Sequence, residues 1–366
     1  MIKFIHTGDL HLGLQFENLF FSRVIASRRR TEIWTTFERI VNKAIEDRVD
    51  FLFIAGDLFE EKYFTLGDMK RVKEILERAK NVNIIITAGN HDTLNKNSLY
   101  HMIEWPENIS IFNNKGLNSK IFEDKNVCVY GYSWDVAENN KNVFEDFQGL
   151  NEEKINILVI HGDVFNKNSK YLPLDKNYIS SLGFNYIALG HIHKPEIFSN
   201  KMAYCGSPEP LNFGEIGEHG IIQGKVSKEN TEIQFLPFSQ RMFLEKNIEI
   251  NENMSYTDIL NSIKKCDEGK NLNENFYKII LNGTIDRDIN LDIDDLIRIV
   301  ENDFYYIEVI DNTILDYDLE KLEKENKDNI IGYFIKEMKS KNLEDRIIKD
   351  AMYIGLEVLM KGKVDL

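Results

Sequence analysis

Five short hydrophobic runs in this chain each end in a polar motif, and that pattern constrains the fold more than any other feature. The runs cover residues 2–6, 51–55, 84–88, 155–160 and 186–189. The motifs after them read Asp9-Leu10-His11, Gly56-Asp57, Gly89-Asn90-His91-Asp92, His161-Gly162-Asp163 and Gly190-His191-Ile192-His193. Short apolar runs bounded by glycine and polar residues read as buried strands. Between them, residues 31–47 carry Ile33, Trp34, Phe37, Ile40, Val41 and Ala44 at helical spacing, and residues 68–80 carry Met69, Val72, Ile75, Leu76 and Ala79. Strand and helix patterns alternate to about residue 240. The expectation is a layered α/β architecture with its polar loops at strand ends, where a rigid sheet holds side chains in a fixed cluster.

At 366 residues the chain is long for one domain, so a large domain plus a smaller one is expected. A composition of 43% hydrophobic and 29% charged residues fits a globular rather than a disordered chain. No run of about 18 apolar residues occurs, so no membrane span is expected. Residues 1–6 read as a strand leading into Asp9, not as a signal peptide. Three cysteines, Cys128, Cys205 and Cys266, lie far apart with no CxxC pair, which fits buried thiols in a reducing, cytoplasmic compartment. The net charge of −15 counts against nucleic-acid binding over the whole surface. It leaves room for a locally basic face and for bound cations among the carboxylates.

All six prolines lie between Pro106 and Pro237. Beyond them, strand-like stretches at 244–250, 276–281 and 305–310 flank a helical stretch at 256–265. We read 1–240 as the main domain and 243–310 as a small α+β domain. Residues 311–329, rich in Asp, Glu, Lys and Asn, read as a charged linker or an exposed helix. In 330–366, Ile330, Ile331, Phe334, Ile335 and Met338 recur at helical spacing, followed by Ile347, Ile348, Ala351, Met352, Leu356 and Leu359. These two amphipathic helices have no evident core of their own, so they pack back on the body or dock on a partner.

Hard divalent ions take carboxylate oxygen, and manganese, iron or zinc also accept imidazole. An Asp-x-His pair at a strand exit puts both side chains on one side of the pleat, so Asp9 and His11 suit a single ion. His191 and His193 repeat that spacing after Gly190, which lets the backbone turn closely. Asp57 after Gly56 fits a bridging carboxylate, Asn90 adds a neutral oxygen, and His161 adds a nitrogen. These seven residues are the right set for two adjacent divalent metals. His91 neighbours a ligand and is placed to protonate a leaving oxygen or stabilise the transition state, or else to orient the site. His6, His101 and His219 are left as structural.

This ordered set resembles the calcineurin-like metallophosphoesterase superfamily. Within it the chain looks like the nuclease subunits of the double-strand-break repair complex, the Mre–SbcD branch. The closer likeness rests on Thr7-Gly8-Asp9-Leu10-His11-Leu12-Gly13, Ala55-Gly56-Asp57-Leu58-Phe59, Ala188-Leu189-Gly190-His191-Ile192-His193, and the stretch Tyr204-Cys205-Gly206-Ser207-Pro208-Glu209-Pro210-Leu211-Asn212-Phe213-Gly214-Glu215. It is strong over 1–225 and weaker beyond. The resemblance implies a four-layer α/β-β/α sandwich with a small capping domain at 243–310 that helps bind DNA. It also implies C-terminal helices docking on an SMC-like ATPase, and a homodimer built in the region of Leu66, Met69, Val72, Leu76, Met102, Ile103 and Trp105. The implied activity is a manganese-dependent exonuclease and single-strand endonuclease acting on DNA ends. Its cofactor would be two Mn2+ per chain, with Mg2+, Fe2+ or Zn2+ as alternatives. One ion would take Asp9, His11, Asp57 and His193, the other Asp57, Asn90, His161 and His191. Arg23, Arg28, Arg29 and Arg30, directly after the first metal loop, are the expected DNA contacts together with Ser207. One departure stands out, because the branch usually carries His directly after Asp-Leu-Phe and this chain has Glu60. Two rival readings are a phosphatase or cyclic-nucleotide phosphodiesterase on the same dimetal site, and a catalytically silent scaffold that bridges DNA ends.

Overall fold

The computed structural model describes residues 1–16, 21–286, 288–343 and 345–361. In it the chain divides into two units, Met1–Met242 and Phe243–Leu366. The first opens with β1 (Ile2–Thr7), α1 (Arg23–Glu46), β2 (Phe51–Ala55), α2 (Leu66–Leu76), β3 (Asn83–Thr87) and β4 (Ile109–Ile111). It continues through β5 (Asn118–Phe122), β6 (Val127–Tyr132), β7 (Ile155–His161), α3 (Lys176–Ser181), β8 (Tyr186–Gly190), β9 (Glu196–Ser199) and β10 (Met202–Tyr204), and closes with β11 (Gly220–Val226) and β12 (Thr231–Pro237). One sheet has the order β12-β11-β1-β2-β3-β4, with β1 to β4 parallel. The other has the order β5-β6-β7-β8-β10-β9, with β6, β7, β8 and β10 parallel.

The apolar runs are unbroken because both faces of each central strand are buried, and the period of two divides them between two cores. Phe4, Phe53, Ala55 and Ile85 point inward to meet Val129, Ile157, Val159 and Ala188 of the second sheet. Ile5, Leu52, Ile54, Ile84 and Ile86 point outward onto Ile33, Phe37, Ile40 and Val41 of α1 and Met69, Val72 and Leu76 of α2. On the far side, Leu158, Ile160, Ile187 and Leu189 are covered by Ile179 of α3 and by Trp134, Phe144 and Leu172 from loops. The α/β-β/α layering is therefore present, with a fourth layer of one short helix and loops. Of the apolar set around α2, Met69, Val72 and Leu76 are plain core, whereas Leu66 and Met102 are exposed.

Helix α1 starts at Arg23, eight residues before the apolar period becomes evident at Thr31. Ser22 caps it, its hydroxyl accepting the Ile25 N–H. This places all four arginines on a helix that packs on the sheet, so their neighbours differ according to the side each one faces.

The second unit has β13 (Phe243–Ile250), α4 (Tyr256–Lys264), β14 (Phe276–Asp286), α5 (Ile293–Val300) and β15 (Tyr306–Asp316), three parallel strands joined by two crossover helices. Its core holds Ile259, Ile263, Ile279, Leu281, Leu296 and Val300. Residues 311–329 are not a linker. Strand β15 runs on to Asp316, and α6 (Leu319–Glu325) buries Leu322. With α7 (Ile330–Lys339) and α8 (Arg346–Lys361), they form a small core of Tyr317, Leu322, Ile335, Met352, Tyr353 and Leu356. The terminal helices thus have a core of their own, seeded by two apolar residues too sparse among charges to register as a period. Residues 362–366 of the expected 330–366 segment lie outside the described residues. Among those described, no helix is long and apolar enough to cross a membrane, and all three cysteines are free and buried.

Candidate metal centre

The carboxyl ends of β1, β2, β3, β7 and β8 face one another across the inner core, where open α/β sheets place their ligand sites. Asp9, Asp57 and His161 are fully buried there. The pleat does not orient Asp9 and His11, contrary to the sequence argument. Strand β1 stops at Thr7, and Asp9 (φ 50°), His11 (φ 48°) and Asp57 (φ 51°) all lie in the left-handed region, which Asp and His tolerate better than most residues. Three main-chain bonds hold that shape, from Asp9, His11 and Leu12 N–H to the carbonyls of Gly56, Asp57 and Leu58, each 3.0 Å. The Asp9 carboxylate in turn accepts the His191 N–H at 3.0 and 3.1 Å. A Cβ on Gly190 would run into the Ala55 carbonyl oxygen, so only glycine lets β8 come this close to β2.

Ligand atoms of Asp9, His11 and His193 lie within 4.8 Å of one another, as do those of Asp9, Asp57 and His161, and of His11, Asp57 and His91. His161 donates from Nδ1 to the Ala55 carbonyl at 2.9 Å, which turns its Nε2 toward Asn90 Oδ1 at 2.9 Å and Asp57 Oδ2 at 3.3 Å. The Nε2 atoms of His11 and His193 face each other at 3.1 Å, while their Nδ1 atoms are engaged by Glu60 (2.6 Å) and Glu215 (2.8 Å). The His191 ring stands edge-on to that of His161, 5.2 Å between centroids. Lone-pair donors aimed at common points, with the far ring nitrogens tied to carboxylates and a carbonyl, are what a divalent cation needs. The donor set fits such a group.

The electrostatics agree. Burial drives the Asp9 carboxyl up, against the pull of His161 and His193. Burial also opposes charge on Asp57, yet His161, His11 and His91 hold its carboxyl well below the usual range. Burial lowers His161, but Asp57 outweighs it and raises the imidazole to about 9. His193 reaches about 9 by the same contest, with Glu215 its main support. Protons here occupy places that a cation would take, so metal binding would release them. His191, desolvated and next to His161, drops to about 3 and stays neutral, as a ligand must.

Three residues that sequence reasoning left without a role shape the centre. Asp92 is buried and accepts the N–H groups of Asp57 (3.2 Å), Leu58 (2.9 Å) and Gly89 (2.6 Å), and the Tyr100 hydroxyl (2.7 Å), so it locks the Asp57 loop to the Asn90 loop. Glu215 backs His193, and Glu60 backs both His11 and His91. Asp92 and Glu215 sit inside quoted motifs, but nothing in the spacing discloses which backbone or ring they reach.

Two expected DNA contacts are excluded by burial. Arg29 is 0% exposed and binds Glu32 (2.5 Å), Glu209 (3.1 Å) and the Pro210 carbonyl (2.8 Å), tying α1 to the loop after β10. Ser207 is also fully buried, its hydroxyl 3.2 Å from Glu215 and 3.0 Å from His219 Nδ1, so it steadies the carboxylate behind His193. Arg30 is half-buried and donates to the Gln15 carbonyl at 3.2 Å. Arg23 and Arg28 are exposed. His6 and His219 are buried structural residues.

Residues 2–195 match the calcineurin-like phosphoesterase family, more than half of the chain, and the chain belongs to that family. The family is one of phosphoesterases, a class of hydrolase. An uncharacterised metallophosphoesterase of Bacillus subtilis, YhaO, is 28% identical over 244 residues, covering 62% of this chain and 59% of the relative. The DNA double-strand break repair protein Mre11 of Archaeoglobus fulgidus is 27% identical over 290 residues, 68% of this chain and 62% of the relative. Its namesake in Methanococcus maripaludis is 27% identical over 319 residues, 78% of this chain and 82% of the relative. The chain thus spans about six tenths of the first two relatives.

Proposed function

We propose that this chain is a manganese-dependent DNA nuclease, an exonuclease and single-strand endonuclease that processes double-strand-break ends. The observation that carries this reading is the clustering of Asp9, His11, Asp57, His161 and His193 from two sheets below an exposed histidine, with Asn90 and His191 against His161, in a chain similar to break-repair proteins along most of its length. Asp9, His11, Asp57 and His193 would hold one ion, and Asp57, Asn90, His161 and His191 the other, with Mg2+, Fe2+ or Zn2+ as alternative occupants. Ions bound there supply Lewis acidity to the phosphate oxygens and activate water for in-line attack. As the new P–O bond forms and the old one breaks, protonated His91 gives its Nε2 proton to the leaving oxygen. The attacking water loses its proton to solvent, and the ring regains one there. Arg23 and Arg28 are the phosphate contacts on α1.

Residues 243–310 serve as the DNA-binding cap. The exposed Ile330, Tyr333 and Ile347 of the terminal helices suit docking on an SMC-like ATPase, and exposed Leu66 and Met102 suit a homodimer. The protein would work in the cytoplasm, at the nucleoid in a prokaryote. Cleavage of linear duplex and single-stranded DNA with manganese, magnesium or chelator, beside Asp57→Ala, tests the proposal. Manganese-dependent cutting that disappears in the variant is expected. Hydrolysis of a small aryl phosphodiester without DNA cutting, even with the ATPase present, would favour a phosphatase or cyclic-nucleotide phosphodiesterase. Neither activity, with fewer than two ions per chain, would leave a DNA-bridging scaffold.

A further inference from the structure

The two carboxylate oxygens of Glu60 are used separately. Oε1 accepts from His11 Nδ1 at 2.6 Å and Oε2 from His91 Nδ1 at 3.0 Å. The side chain is 12% exposed, and the backbone on either side of it is pinned. The Glu60 N–H donates to the Leu12 carbonyl and the Glu61 N–H to the His91 carbonyl, both at 3.0 Å. The His11 and His91 rings meet edge-on, with centroids 4.8 Å apart. His91 is held from its own main chain as well, its N–H donating to Asp57 Oδ1 at 2.9 Å.

An ionised carboxylate only accepts, so each imidazole facing it must carry its proton on Nδ1. For His11 this leaves Nε2 as the lone-pair nitrogen, and that atom is the one 3.1 Å from His193 Nε2. For His91 it leaves Nε2 as the nitrogen available to a substrate, on a side chain that is 43% exposed. We propose that Glu60 is a positioning residue that fixes His91 with Nδ1 inward and Nε2 toward the leaving oxygen, its other oxygen anchored by His11. This rests on the phosphodiesterase reading of the site. A histidine at position 60 would have one acceptor nitrogen at most and could serve only one ring.

Glu60→Gln tests it, because the amide keeps the volume but has one accepting oxygen and presents a donor to the other ring. With a small aryl phosphodiester, the expected result is unchanged KM and metal content and a kcat lower by about 10–100-fold, the usual scale for groups that orient a reactive or ligating side chain. In a His91→Ala background the substitution should add nothing further. Independently of activity, 15N shifts of the magnesium-loaded wild type should show His91 protonated at Nδ1, with that preference lost in Glu60→Gln. The proposal falls if Glu60→Gln costs the same factor with and without His91. It falls equally if wild-type His91 is the Nε2–H tautomer, or if metal is lost in Glu60→Gln while the His91 tautomer stays put. Wild-type protein inactive on the phosphodiester would defeat the activity reading alone, and the tautomer measurement would still decide the role of Glu60.

Discussion

Asp9, Asp57 and His161 form a sealed floor to the centre, whereas His91, 43% exposed, and His193, 26% exposed, stand at its rim. The floor is placed by main chain: left-handed residues just past the strand ends, ladder-like bonds between the loops after β1 and β2, and the Ala55 carbonyl behind His161. The rim is placed by carboxylates from elsewhere in the chain, Glu60 for His91 and Glu215 for His193. A floor built this way moves only if the sheets move. A rim held by single side chains can be retuned by one substitution, which suits the part of a site that meets substrate.

The largest expected effect is on the floor. Asp9→Ala should lower metal content and reduce phosphodiester turnover on the order of 10³-fold, because metal activation supplies several kcal/mol of transition-state stabilisation. Metal analysis beside kinetics checks this, and a variant that keeps its metals and its rate would erase the distinction between floor and rim. The same inside–outside contrast runs along α1. Arg29→Ala should destabilise the fold by about 3–5 kcal/mol, since it strands buried Glu209 without its cation. Arg28→Ala, one residue earlier and exposed, should stay within about 0.5 kcal/mol. Denaturant melts compare the two, and equal losses would mean that burial does not decide what these arginines do.

At the rim, Glu215→Gln should weaken metal binding by about 10–100-fold with the fold intact, as for other groups behind a ligating histidine. Calorimetric titration of the metal reads that shift, and no change would move His193 control to its main chain. The smallest effect concerns His6 beneath the floor, which links the sheets through the Tyr186 hydroxyl (2.9 Å) and the Leu189 carbonyl (3.2 Å). Burial lowers its pKa from 6.5 to about 3, so the folded state keeps it neutral while the unfolded chain takes up a proton below pH 6.5. Its contribution is therefore complete above pH 6.5 and drains as pH falls toward 3, roughly 2 kcal/mol by pH 5. A His6→Gln variant should flatten that part of the stability profile, and an unaltered slope would show that the floor tolerates charge beneath it.

The residues of the floor were legible in the chain because each lies in a local motif, whereas the contacts that aim them were not. An apolar run followed within a few residues by Gly-Asp or Gly-Asn-His-Asp announces both a strand and its exit, and the ordered set singles out Asp9, Asp57 and His161, which the fold brings together. The rim and its supports were not legible, because Glu60 reaches across to His91 and Glu215 back to His193 through turns that no period reports. The same limit misplaced Arg29 and Ser207. A basic run looks solvated in a sequence, and only the helix's rotation on the sheet shows that one of its four arginines points inward to Glu209. Over 311–329 the helical alternative is present as α6, but Tyr317 and Leu322 become core only when α7 and α8 cover them.

By itself the sequence determined the alternation of strands and helices, the two-sided burial of the parallel strands and the residue types gathered at their ends, because these follow from periodicity and from groups adjacent in the chain. Only the tertiary structure decided the left-handed turns that aim Asp9 and His11, the carboxylate behind each rim histidine and which charges lie inside. Those depend on contacts between residues far apart in the chain, and a strand-exit motif is the same whatever lies across the gap from it.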